Sequence, residues 1–197
     1  MGIKLLLLSI TFVFIAGVAA QAPFRKYDVK SAIVTFHTDM KIGTMEFKDS
    51  IKVYFDDYGI KECKETYYHG RLATSFFSDG KNRYLVDHER KTATNQGPAY
   101  SGTELRVDSM EFSTQKGRDE GKIKKAPAMK VAGKACEVFV SDDGQGGITT
   151  YGGWNKVLLY LDVETKSVRN TLRAVKVREN AKVPAEKFAV PAGYKIE

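Results

Sequence analysis

The sequence predicts a mainly β (α+β) domain built on antiparallel strands. Three observations carry this: apolar and polar residues alternate with period two along most segments, Gly, Asp and Asn separate those segments, and a single stretch has helical spacing. Such alternation gives each strand one face for a core and one for water, because successive side chains leave opposite sides of the pleat.

The chain opens MGIKLLLLSITFVFIAGVAAQAP, with Lys4 ahead of an uncharged apolar run from Leu5 to Ala16 and then small residues. That arrangement is a secretory signal peptide. The run falls short of the roughly 20 apolar residues a membrane span needs, and Val18 and Ala20 suit cleavage after Ala20, with Ala22 as the alternative. No Cys follows the run, so the acylated cysteine of a bacterial lipoprotein is not expected. Residues 1–20 are read as the leader and residues 21–197 as one soluble, β-rich domain; the 177 residues left of the 197 suffice for a single core. The expected location is the periplasm or the secreted fraction.

Strands then follow in order. In SAIVTFHTDM, Ala32, Val34, Phe36, Thr38 and Met40 share one side, and Thr35, His37 and Asp39 the other. IKVYFDDYG sets Ile51, Val53 and Phe55 against Lys52, Tyr54 and Asp56. KECKETYYHG alternates less cleanly, with Cys63 and Tyr67 on one side among charges, and reads as a wetter strand nearer an edge. In FFSDGKNRYLVD the Asp79-Gly80 pair reads as a hairpin turn, Gly supplying the positive φ that other residues resist. RYLVDHE, CEVFVSD, KVLLYLDVE and SVRNTLRAVKV continue the strand signal. Val157, Leu159, Leu161 and Val163 form an aliphatic side opposed to Leu158, Tyr160 and Asp162. DDGQGG, from Asp142 to Gly147, is a hairpin tip without the ligand spacing of a calcium loop.

The helix candidate is SGTELRVDSMEFSTQKG. Ser101 and Glu104 have capping-box spacing, Leu105 and Phe112 recur at helical distance, and Gly117 ends the element. From Gln115 to Lys134 the chain is rich in Lys and Gly and reads as a mobile connector.

The formal charge of +7 becomes about +6 without the leader. Its densest basic stretch, KIKKAPAMKVAGK, has no interleaved aromatics for base stacking, so nucleic acid is not an expected partner. A solvated loop, or peripheral contact with an anionic membrane, fits it better. Export places Cys63 and Cys136 in an oxidising compartment. The expectation is a disulfide between them, worth about 4 kcal/mol in the chain-entropy picture, against the alternative of two separately buried thiols.

No arrangement of residues selects a reaction, so the protein is read as not an enzyme. His37, His69 and His88 lack ligand spacing, no metal site is expected, and all three read as exposed strand residues. There is no G-x-S-x-G elbow, and GQGGITTYGG carries neither phosphate-loop pattern, so no cofactor is expected. Trp154, close to Tyr151 and following Gly152 and Gly153, reads as a core residue at a strand bend or as part of a ligand mouth.

YFDDYGIKECKETYY, FFSDGKNRYLVDHERKTAT, GKACEVFV and VPAEKFAVPAGYKIE together resemble a group of uncharacterised bacterial secreted proteins. Within them, SDGKNRYLVDHERKTAT and the Phe, Pro-x-Gly ending are similar to LolA-like periplasmic lipoprotein carriers. That resemblance implies a curved antiparallel sheet forming a half-barrel, with a few short helices on its concave face and room there for lipoprotein acyl chains. Carriers have more helix than this sequence offers, and the Arg that governs their lid has no identifiable counterpart here. The function expected is non-catalytic binding of an apolar or lipidic ligand, with Phe36, Val53, Phe55, Tyr84, Val86 and Trp154 as candidate contacts. The alternative is an envelope structural or protein-interaction module in which these residues are an ordinary filled core.

Overall fold

The computed structural model describes residues 25–99, 120 and 122–197; the leader and the helix candidate from Ser101 to Gly117 lie outside them. The alternating segments become β1 (Ala32–Ile42), β2 (Met45–Asp56), β3 (Lys61–Tyr68), β4 (Arg71–Ser78), β5 (Asn82–Asp87) and β6 (Thr92–Pro98). A second run gives β7 (Ile123–Val131), β8 (Lys134–Asp142), β9 (Ile148–Trp154), β10 (Val157–Glu164) and β11 (Val168–Glu179), and the tail adds β12 (Lys195–Ile196). All belong to one sheet, in the order β12-β6-β5-β4-β3-β2-β1-β11-β10-β9-β8-β7. Two meanders are thus zipped together where β1 pairs with β11, and among the described residues every pairing is antiparallel except the short β12–β6 contact.

Local chemistry sets the turns. Asp79 Oδ1 accepts from the Lys81 and Asn82 amides, both at 2.7 Å, while Gly80 takes φ 95°, so the Asp-Gly pair reverses the chain as read from sequence. Asn155 and Lys156, at φ 48° and 63°, form the two-residue turn from β9 to β10. Asp143 likewise accepts from Gln145 and Gly147 at the β8–β9 tip.

The apolar residues divide between the two faces. Ala32 pairs with Phe55, whereas Ile33 pairs with Tyr54, so adjacent pairs point to opposite sides. One side holds a cluster of Tyr27, Val34, Phe36, Phe55, Val131, Cys136, Leu159 and Ala174. Val131 and Cys136 come from the far-edge hairpin yet share this cluster with β1 and β2, so the sheet curls around this face and makes it the concave one. A Lys134–Glu179 ion pair of 2.6 Å fastens the curl. The other side holds Ile33, Tyr54, Cys63, Phe77, Val86 and Ala93, covered by the tail residues Val183, Phe188, Val190 and Tyr194.

Several expectations change. The stretch Gln115–Lys134 is not connector throughout: Ile123–Val131 is edge strand β7. Pro127 fits there because an edge strand can lack an amide, and the pairing with β8 shifts register around it; Lys124, Lys125 and Lys130 then discourage strand addition. KECKETYYHG is not near an edge, since β3 lies between β2 and β4; its charges are tolerated because Glu62 and Glu65 meet Lys26 and Lys187. Helical structure among the described residues is confined to the 3-10 turns Asp57–Gly59 and Ala185–Phe188, and the second sits on the face opposite the concave cluster. Finally, Cys63 and Cys136 are free. Their expected disulfide is excluded by geometry, because the two residues belong to separate clusters on strands far apart in the sheet order. Burial, then the charge of Glu65, pushes the Cys63 thiol up to about 12, which makes it inert.

Candidate functional site

Among the described residues, the concave face is filled at one end and open at the other. At the closed end, Tyr27 packs on Phe55 with ring centroids 4.3 Å apart. Its segment is tied down by Lys26 and Tyr27 amides donating to Tyr58 O, by a Lys26–Glu62 ion pair of 3.0 Å, and by Tyr27 OH donating to Glu62 at 2.6 Å. Gly59 lies directly beneath: a Cβ there would stand 2.7 Å from Tyr27 Cδ2. Residues 26–29 therefore plug this end of the face.

Beyond the plug the same face opens into a groove of about 650 Å³, within the ~300–1,000 Å³ usual for small-molecule sites. β1 and β2 supply an apolar set, Met40, Ile42, Phe47 and Ile51, with Thr38 and Asp49; Glu46, Lys48, Lys64 and His69 add charge or polarity at its sides, beside Thr66, Tyr68 and Asn170. Register explains the set: Phe36 pairs with Ile51, Thr38 with Asp49 and Met40 with Phe47, so these side chains continue the face of the core outward along the β1–β2 hairpin. Ile51 belongs to both, packing on the core and flooring the groove. At the rim Ile42, Met45, Phe47 and Tyr68 remain exposed, Met45 by 56% and Tyr68 by 53%.

The structure divides the sequence-derived contacts. Phe36, Val53, Phe55 and Trp154 lie on or against the concave cluster, while Tyr84 and Val86 belong to the opposite cluster, Tyr84 stacked on Phe77 at 5.1 Å. Phe55 is fully buried and Phe36 nearly so, which makes both floor rather than lining. Trp154 carries Lys134 Nζ 4.2 Å above its ring. None of the groove-lining residues was among the candidate contacts; those contributed by β2 are Glu46, Phe47, Lys48, Asp49 and Ile51. For the β2 members the alternation of Met45, Phe47, Asp49 and Ile51 is the signal, and it extends β2 upstream of Ile51.

A polar group lies on the other face. Glu65, almost fully buried, accepts from Tyr54 OH at 3.0 Å, Tyr67 OH at 2.7 Å and Lys187 Nζ at 2.5 Å. Burial pushes its carboxyl up, but the hydrogen bonds from Lys187 and Tyr67 and the charge of Lys187 outweigh that and hold it below the ordinary carboxylate value. Nearby, Ser75 Oγ and His88 Nε2 are 2.7 Å apart, and His88 Nδ1 is 3.0 Å from Tyr194 OH. His88 is therefore not the exposed strand residue expected; burial holds its pKa below the ordinary value. His37 and His69 are exposed. Ser75 is buried and His88 faces a phenol where a triad has a carboxylate, so the pair clamps the tail to the sheet. Among the described residues no three His, Cys, Asp or Glu side chains converge as metal ligands.

No family model and no curated protein sequence matches the chain. Solved structures do. An uncharacterized conserved protein from Thermus thermophilus superposes with TM-score 0.56 and 9% identity, over 86% of this chain and 90% of that one. MucB in the Pseudomonas aeruginosa MucA/MucB complex superposes with TM-score 0.51 and 10% identity, over 85% of this chain and 58% of that one. A LolA superfamily protein from Nitrosomonas europaea is matched at TM-score 0.37 and 9% identity, over 83% and 94%. The first two share this open, curved antiparallel sheet.

Proposed function

We propose that the chain is a non-catalytic binding protein of the periplasm or the secreted fraction, holding an apolar, lipidic ligand in the concave groove. One observation carries the reading: the sheet curls around a face that the described residues fill only at the Tyr27 end, leaving about 650 Å³ continuous with an apolar floor. Each methylene of an acyl chain buried there contributes about 0.8 kcal/mol. Lys64, on the groove wall, offers a charge to a polar head. Contact with an anionic membrane through Lys122–Lys134 remains part of the proposal, now from an edge strand.

Native mass spectrometry with lipid extraction, on protein exported by a bacterial host, tests this. Acyl species are expected with the parent chain and are expected to be lost when Ile51→Trp fills the groove or Met40→Glu charges it. Parent protein that carries no lipid and takes up no apolar fluorescent probe defeats the reading.

A second reading is favoured by the apolar rim and by the fold shared with MucB, which is solved in complex with MucA. In it the groove and the exposed Met45, Phe47 and Tyr68 receive a segment of an envelope protein. Crosslinking from position 47 in the exporting host separates the two, protein adducts marking this reading and lipid adducts the first.

A further inference from the structure

On the face opposite the groove, three neighbouring strands bring cations together around a depression with no acid in its lining. In register, Thr35 of β1 stands between Lys52 of β2 and Lys176 of β11, and one row on Ile33 stands between Tyr54 and Arg178. These residues line a hollow of about 210 Å³. Ile33 and Tyr54 are its buried floor, Lys52 is half-buried, and Lys176 and Arg178 are exposed. Strands lie about 4.8 Å apart, so the Lys52 and Lys176 backbones are separated by about 10 Å, a gap their side chains can close on one anion between them.

Two further observations point to a ligand. The first is a β-bulge: Phe36 pairs with Ala174 but Thr35 with Lys176, so Val175 is extra. Without it Val175 would stand opposite Thr35; with it Lys176 and Arg178 are turned to the hollow while Ala174 stays in the concave core and Val175 is left exposed by 46%. The second is charge. The acid paired across from Lys52 is Glu65, whose carboxylate is already engaged by Lys187, Tyr54 and Tyr67. Lys52 leans over the Tyr67 ring at 5.0 Å instead. Lys52, Lys176 and Arg178 thus gather positive charge around one hollow, where a single anion could receive charge-assisted hydrogen bonds from all three.

We propose that this hollow binds a phosphate group between Lys52, Lys176 and Arg178, carried by a soluble phosphate compound or by an anionic lipid headgroup. The Arg fork matches two phosphate oxygens, and the lysines neutralise the remaining charge.

The test follows backbone amides by NMR while inorganic phosphate is titrated against chloride of equal ionic strength, with parallel sedimentation on phosphatidylglycerol and phosphatidylcholine vesicles. The variants are Lys176→Gln with Arg178→Gln, whose exposed positions spare the fold, and Arg90→Gln as a control on the exposed, distant β5–β6 turn. Saturable shifts around Thr35, Lys52 and Lys176 are expected, with affinity falling about tenfold for each cation removed and unchanged by the control. If phosphate alone moves nothing but phosphatidylglycerol vesicles bind the parent chain and not the double variant, the headgroup is the source. Neither form of binding, or binding indifferent to the double substitution, overturns the site.

Discussion

Glu65 shows how a single buried charge can fasten a tail. Its side chain is 4% exposed and Lys187, from the C-terminal segment, is its ion-pair partner at 2.5 Å. Lys187→Met would leave a carboxylate stranded in the sheet and is expected to cost about 3 kcal/mol in urea unfolding. The pH dependence follows from the lowered carboxyl. Because the fold holds Glu65 below its ordinary value of 4.5, its stabilisation is present above pH 4.5 and is lost as pH falls through the lower folded value. Glu65→Gln should therefore flatten the acid limb of the stability profile; an unchanged limb would mean that other carboxylates govern it. His88 acts in the same direction at higher pH, since burial holds it below its ordinary value of 6.5 and stability declines as pH falls from there. Neither role was legible in the sequence. KECKETYY reads as a wet strand because a charge in a string says nothing of the tail that covers it.

At the scale of elements, the sequence shows strands well and their ends poorly. Period-two alternation located β1, β8, β10 and β11, and Asp79-Gly80 placed the β4–β5 turn. β7 was hidden because an edge strand can hold Pro127 and several lysines, the features by which connectors are recognised. The plug was equally hidden: in Arg25–Lys30 Tyr27 and Val29 alternate with charges over too few residues to read as an element, and they are buried because the Asp57–Gly59 turn comes to meet them. Gly59→Ala tests that docking. Its φ of 87° and the 2.7 Å approach to Tyr27 both resist a side chain. The expected loss is about 1–3 kcal/mol, with faster hydrogen exchange at the Lys26 and Tyr27 amides. Exchange that stays slow would show that the plug does not depend on this contact.

Across the whole molecule, the distinction between floor and groove decides which residues matter. Phe55→Ala is expected to cost about 3–5 kcal/mol through the cavity it leaves, while lipid capture by the folded fraction is retained. Met40→Glu, at a groove position outside the core cluster, should do the reverse, sparing stability and blocking capture. Equal loss of capture in both would place the ligand deeper than the groove. Sequence alternation identified Phe36, Val53 and Phe55 as one face, and the register agrees. It could not exclude Tyr84 and Val86, because residues on separate strands share a face only through pairings that no local pattern encodes.

By itself, the sequence determined the β class, the main turns and the shared face of Phe36, Val53 and Phe55, because these depend on period and turn chemistry within a few residues. Tertiary structure alone decided that β11 closes on β1, that the two cysteines lie in separate clusters, and that residues 26–29 fill one end of the concave face while, among the described residues, the other stays open. Those outcomes rest on contacts between residues far apart in the chain: Lys187 on Glu65, Tyr27 on Phe55 and Glu179 on Lys134. Their free energy exists only once the sheet has curled, so nothing in the local order of residues announces them.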